Sequence, residues 1–272
     1  MASILSRYPV PMRKLVAVSL FLALSLLAAT HGPEKGALVI VGGGQIGSEI
    51  WERFFALAGG KDQPIVFIPT AGDTDTYTDQ ALEPLRKAGA SNLTMLHTRD
   101  RATADSEAFV EPLRKARGVW FNGGRQWRLA DAYLGTRTER ELHSLLDRGG
   151  VIGGSSAGAT IIGSFMVRGA VSGNTVMVAP DHVQGMGFLT DSAIDQHLIT
   201  RHREKDLVSV IDERPALLGI GLDESTAIIV RRNQFEVVGK SRIAIYTAGH
   251  PYYFLKAGDR FDLRKRQAIS QP

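Results

Sequence analysis

The residues best suited to chemistry lie in Gly154-Ser155-Ser156-Ala157-Gly158, a G-x-S-x-G pattern fed by Val151-Ile152 and followed by a second small and apolar run. The pattern sets a serine on a tight strand-to-helix turn, and its glycines allow the turn and the close approach of neighbouring chain. Ser156 then stands at the head of the following helix, where free N–H groups favour a developing anion. The chemistry implied is nucleophilic attack on a carbonyl. A serine nucleophile needs a base, and the chain offers seven histidines. His197 is the first candidate, because Asp195-Gln196-His197 follows a short apolar segment and precedes a charge-rich stretch; His182, after Asp181, competes. The base needs a carboxylate to fix its tautomer. Asp223 and Glu224, at the end of an apolar segment, are both placed to supply it. Gly123-Gly124-Arg125-Gln126 ends the strand before the serine strand, so in a parallel sheet the Gly124 and Ala157 N–H groups would share one edge and form an oxyanion hole. The plainer use of the same residues is a turn, with Gln126 capping the next helix.

The elements that must carry these groups follow from periodicity. Short apolar runs at 37–41, 65–68, 92–96, 118–121 and 151–152 read as buried parallel strands. Helical spacing fills the gaps over 45–58, 81–88, 107–116, 127–134 and 139–148. This alternation predicts an α/β fold of three layers, a mostly parallel sheet with helices on both faces. Beyond the serine the texture changes. Residues 174–188 lack periodicity, a polar helix is expected over 201–212, and 227–230, 234–238 and 243–246 read as an antiparallel end to the sheet.

Other features bound the function. Gly42-x-Gly44-x-x-Gly47 is a literal dinucleotide fingerprint after a strand and before a helix. It lacks the acidic residue expected at the end of the second strand, where Pro69 and Thr70 stand, so the glycines read as a tight turn. Arg13 and Lys14 precede the uncharged run from Leu15 to Ala29, the n- and h-regions of a secretory signal. A signal over 1–29, a single domain over 30–272, a periplasmic or extracellular location and no stable membrane association after cleavage are therefore expected. The formal charge of the 272 residues is +4, and the leader carries Arg7, Arg13 and Lys14 with no acid, so the remainder is close to neutral. Arg264-Lys265-Arg266 reads as a solvated tail, and no nucleic-acid partner is expected. With no cysteine, disulfides, thiolate metal sites and a cysteine nucleophile are excluded.

Four stretches, in order and with compatible spacing, together resemble cyanophycinase, a serine hydrolase of the peptidase E (family S51) group. They are Phe121 to Leu129, Gly153 to Ala159, Asp195-Gln196-His197 with Arg201 and Arg203, and Gly219 to Ile228. The resemblance implies a class I glutamine amidotransferase-like fold. It also implies Ser156 as nucleophile, His197 as general base and Glu224 as orienting acid, with no metal or organic cofactor and a homodimeric assembly. Gln126, Asp195, Gln196, Arg201 and Arg203 match positions that line the family's substrate pocket. Arginines reading carboxylates and an aspartate reading a guanidinium suit cyanophycin, a poly-aspartate with arginine on each β-carboxyl. Two departures stand out. Ser155 replaces the usual threonine, and Asp206 stands where cyanophycinases carry a further arginine; residues 181–184 also look inserted. An aspartyl dipeptidase acting on Asp-X or isoaspartyl peptides, and an inactive binding protein on the same scaffold, are the competing expectations.

Overall fold

The continuous apolar runs become the centre of a sheet. The structure is a computed structural model that describes residues 30–270, so the expected leader over 1–29 lies outside the described residues. The chain opens with β1 (Ala37–Val41), α1 (Ser48–Ala58) and β2 (Ile65–Ile68), and a 3-10 turn then leads into α2 (Glu83–Lys87) and β3 (Leu93–Met95). Helices α3 (Arg101–Ala104) and α4 (Glu107–Lys115) precede β4 (Gly118–Phe121). Helices α5 (Gln126–Tyr133) and α6 (Arg137–Asp147) precede β5 (Val151–Ser155), and a single turn, α7 (Ala157–Thr160), follows it. Then come β6 (Gly163–Phe165), β7 (Leu189–Gln196), α8 (Asp206–Glu213) and β8 (Leu218–Leu222). The chain closes with β9 (Thr226–Arg231), β10 (Gln234–Gly239), β11 (Arg242–Tyr246), β12 (Tyr253–Lys256), β13 (Arg260–Asp262) and β14 (Gln267–Ile269).

Nine strands form the main sheet in the order β14-β13-β10-β9-β1-β5-β4-β2-β3. From β1 to β3 the pairings are parallel, as the alternating helices require; from β9 outward they are antiparallel. Residues 243–246 do not join that antiparallel end as expected. As β11 they pair with β8 in a second sheet, β12-β11-β8-β7-β6, while β13 takes the free side of β10 and stacks Phe261 on Phe235. Sequence periodicity specifies a strand's faces but not its neighbour.

Helix α1 covers one face of the main sheet, packing Trp51, Phe54 and Phe55 around Trp120 of β4, with ring centroids 4.3 Å apart for Trp51–Trp120. Burying each such side chain stabilises by roughly 1.5–3 kcal/mol. The other face shares a larger core with α4–α7 and with the second sheet, through Phe121, Ile152, Ile220 and Ile243. Helix α8 lies on the far face of that second sheet, with Leu207, Val210 and Ile211 against Ala193 and Ala244. Helices flank both faces of the main sheet as expected, and the second sheet is an added layer that the sequence did not announce. Its consequence is positional. Register pairs Val41 with Ser155 and Gln196 with Leu222, and the His197 N–H donates to the Gly42 carbonyl at 2.9 Å. The ends of β1, β5, β7 and β8 therefore converge on one spot.

Candidate active site

Ser156 sits at that spot with φ 55° and ψ −113°, a conformation that costs a non-glycine residue roughly 1–3 kcal/mol. The surroundings hold it there. Its N–H donates to the Val41 carbonyl at 3.1 Å, and a Cβ at Gly154 or Gly158 would meet backbone oxygens at 2.2 and 2.3 Å. The two glycines of the pattern thus let α7 lie directly on the strand ends. Helix α7 is one turn long, too short for the macrodipole contribution the sequence invoked. Individual N–H groups remain. Those of Gly124 and Ala157 have no acceptor among the described residues, and Gly123 lies against Ser156, its would-be Cβ 3.4 Å from the serine Cβ.

Ser156 Oγ is 2.8 Å from His197 Nε2, and His197 Nδ1 is 2.5 Å from Glu224 Oε1. His182 is elsewhere, its Nε2 2.9 Å from Asp131 Oδ1 on α5. The choice between Asp223 and Glu224 is resolved by what each already holds. Asp223 is buried and accepts from the N–H groups of Ile199 and Thr200 and from the hydroxyls of Thr200 and Ser241. Burial works against its charge, but those donors outweigh it and keep its carboxyl below the usual range. It fixes the turn after His197 and leaves Glu224 for the imidazole. That turn also shortens the expected polar helix: His197 has φ 55°, residues 198–205 fold into turns, and α8 starts only at Asp206.

Burial lowers the His197 pKa below its ordinary value. Glu224 opposes this, and Arg201 and Arg203 add to it. The imidazole is therefore neutral at neutral pH and free to accept a proton.

The glycine run after β1 has a use that periodicity did not reveal. A Cβ on Gly43 would lie 2.3 Å from His197 Cε1, and one on Gly44 would lie 2.7 Å from Glu224 Oε2. Gly43-Gly44 is thus the seat of the imidazole and its carboxylate. The fingerprint spacing was the visible signal, and its partner is a side-chain pair instead of a phosphate.

Of the five positions matched to a substrate pocket, four lie beneath the surface. Gln126 is buried and donates its amide to the Val167 and Arg168 carbonyls at 2.8 and 2.9 Å, so it is not a helix cap. Asp195 is fully buried, with both carboxylate oxygens held by Arg168 at 2.7 and 2.8 Å. This corrects the expectation that Asp195 reads a substrate guanidinium, because the chain supplies the guanidinium itself. Gln196 and Arg203 are buried against each other, with Arg203 Nη1 3.1 Å from Gln196 Oε1. Arg201 alone of the five is exposed. Arg168 also explains Asp206, whose carboxylate accepts from Arg168 Nη2 at 2.6 Å. The charge at 206 serves an internal pair. Arg168 was missed because its partners lie 27 and 38 residues further along the chain.

A serine joined through an imidazole to a carboxylate, beside two unused N–H groups at the edge of an α/β sheet, is the constellation of a serine hydrolase. The comparisons agree and narrow it. The model of "Peptidase family S51" matches residues 38–238, and the chain belongs to that family. It is 32% identical over 220 residues to a cyanophycinase of Geminocystis herdmanii, covering 78% of this chain and 80% of that one. To a cyanophycinase of a Nostoc species it is 29% identical over 275 residues, covering 91% and 92%. Among solved structures, a peptidase from an acI-B1 Actinobacterium superposes with a TM-score of 0.65 at 23% identity, covering 85% of this chain and 98% of that one. A Listeria monocytogenes protein assigned by name to peptidase E gives 0.55 at 16% identity, covering 76% and 99%. The protein is a cyanophycinase-like serine peptidase with a class I glutamine amidotransferase-like fold, and its substrates are peptides.

Proposed function

We propose that Ser156, His197 and Glu224 act as nucleophile, general base and orienting acid in the hydrolysis of a β-aspartyl peptide bond. The observation that carries this reading is the unbroken contact from Ser156 Oγ through the His197 ring to Glu224. Ser156 Oγ adds to the carbonyl carbon while its proton passes to His197 Nε2, and the carbonyl oxygen becomes an anion facing the Gly124 and Ala157 N–H groups. His197 gives the proton to the leaving nitrogen, and the C–N bond breaks. Water, deprotonated by His197, then releases the acyl group and restores Ser156. Arg201, the exposed cation closest in sequence to the base, supplies charge for a substrate carboxylate.

Cyanophycin or a related β-aspartyl-arginine peptide is the favoured substrate, on the strength of the relatives' names. One observation favours a smaller substrate, an Asp-X or isoaspartyl dipeptide: with four of the five matched positions buried, Arg201 is left to read a single carboxylate. Assay of cyanophycin, β-Asp-Arg and Asp-X peptides side by side separates the two. Ser156→Ala is expected to abolish turnover, with an unchanged circular dichroism spectrum; retained activity would refute the assignment. Export through residues 1–29, with release from the membrane, and a homodimer complete the proposal. Fractionation with N-terminal sequencing tests the first, and sedimentation tests the second.

A further inference from the structure

The family-matched positions lie on the side of the sheet that carries the second sheet and α8. On the opposite side, next to the same serine, a cavity of about 550 Å³ remains open. Its wall includes Gly44, Asn122 and Ser155 at the strand ends, Trp51 of α1, and Lys61 and Lys87. Asn122 and Ser155 directly precede Gly123 and Ser156, and Gly44 packs against Glu224. The triad side chains do not line the cavity, but its inner end reaches the residue before the nucleophile and the glycine that packs on Glu224. A second and larger cleft, about 860 Å³ beside Arg231 and Arg260, lies toward the other ends of the strands and touches none of these residues.

The chemistry of the cavity is that of an acidic ligand. Its lining carries Lys61 and Lys87 against the single acid Glu52, with Ile46, Trp51, Pro84 and Ala88 as apolar floor. Both lysines are exposed, and neither forms an ion pair among the described residues. The stem of Lys61 crosses over Gly89, where a Cβ would lie 3.0 Å from its Cδ, so Lys61 borders the end of α2, whose last residue is Lys87. A volume of several hundred Å³ suits a short peptide segment.

We propose that this cavity is an extended subsite for a carboxylate-bearing segment of the substrate, beyond the residue that acylates Ser156, with Lys61 and Lys87 binding its free carboxylates. In a β-aspartyl-arginine chain, whose β-carboxyls are amides, these are the α-carboxylates of the arginines, and oligo-aspartate serves as the carboxylate probe. The subsite deepens the serine-peptidase reading and rests on it for its role in turnover, but binding is measurable without turnover. The probe is an oligo-aspartate peptide titrated by calorimetry into the Ser156→Ala protein. Adding Lys61→Glu and Lys87→Glu to that background is expected to weaken binding about tenfold, and binding to the lysine-bearing protein is expected to weaken with added salt. On the active enzyme, the same two substitutions are expected to raise about tenfold the ratio of KM for a β-aspartyl substrate carrying an aspartate extension to KM for the same substrate without it. Unaltered oligo-aspartate binding in the doubly reversed protein, or an unaltered KM ratio, would overturn the subsite. If binding falls as expected while the wild-type protein cleaves no peptide, the catalytic reading has failed and the subsite stands.

Discussion

The two walls beside Ser156 are built on opposite plans. On the second-sheet side, polar groups are satisfied internally: Arg168 pairs with Asp195 and Asp206, and Arg203 donates to Gln196. On the α1 side the strand ends are glycine, the imidazole and carboxylate rest on them, and the cavity beyond carries lysines that no acid neutralises among the described residues. The first wall sets geometry, and the second leaves room and charge for a ligand. A residue's type thus says less about substrate contact than whether its polar atoms are already satisfied.

The sharpest way to break this contrast is at the glycine seat. Gly43→Ala would push a methyl group into the His197 ring from a backbone at φ 123°, and a displacement on the order of 1 Å costs about 100-fold in rate. Steady-state kinetics should show at least that loss in kcat. A variant of near wild-type kcat would mean the seat does not position the imidazole.

The internal wall should respond in stability first. Arg168→Met leaves Asp195 buried without its partner, a loss of about 3–5 kcal/mol by comparison with other broken buried pairs. Adding Asp195→Asn should recover part of it, because an amide is cheaper to bury than an unpaired charge. Urea denaturation of the single and double variants measures both. Equal losses in the two would show that the pair does not act as a unit.

A smaller effect belongs to the exposed charge. Arg201 helps hold the His197 pKa down, so Arg201→Gln should let it rise. The sign follows directly. Activity requires neutral His197, so the acid limb of kcat/KM, expected below the ordinary imidazole value of about 6.5 in the wild type, should move to higher pH in the variant. A shift to lower pH would contradict the electrostatic role.

Much of this was legible in the sequence where one residue type had one plausible use. β1, β2 and β4 are uninterrupted apolar runs, and their bounds follow from the residues alone. Ser156 stood out because few arrangements require that glycine spacing. What was not legible depended on partners distant in sequence. β12, β13 and β14 are short, with exposed positions and little hydrophobic pattern, so only pairing defines them. Arg168 becomes meaningful only when Asp195 and Asp206, from two later elements, are brought to it. The run at Gly42 was visible but carried two readings, and the space a missing Cβ leaves for an imidazole cannot be read from spacing.

The central claim is that Ser156 is activated by the His197–Glu224 pair, and covalent labelling tests it most directly. A serine-reactive phosphonate, followed by peptide mapping in a mass spectrometer, is predicted to add one equivalent at Ser156, and His197→Ala should slow labelling by several orders of magnitude. An adduct at another serine, or labelling of Ser156 at the same rate without His197, would contradict the account.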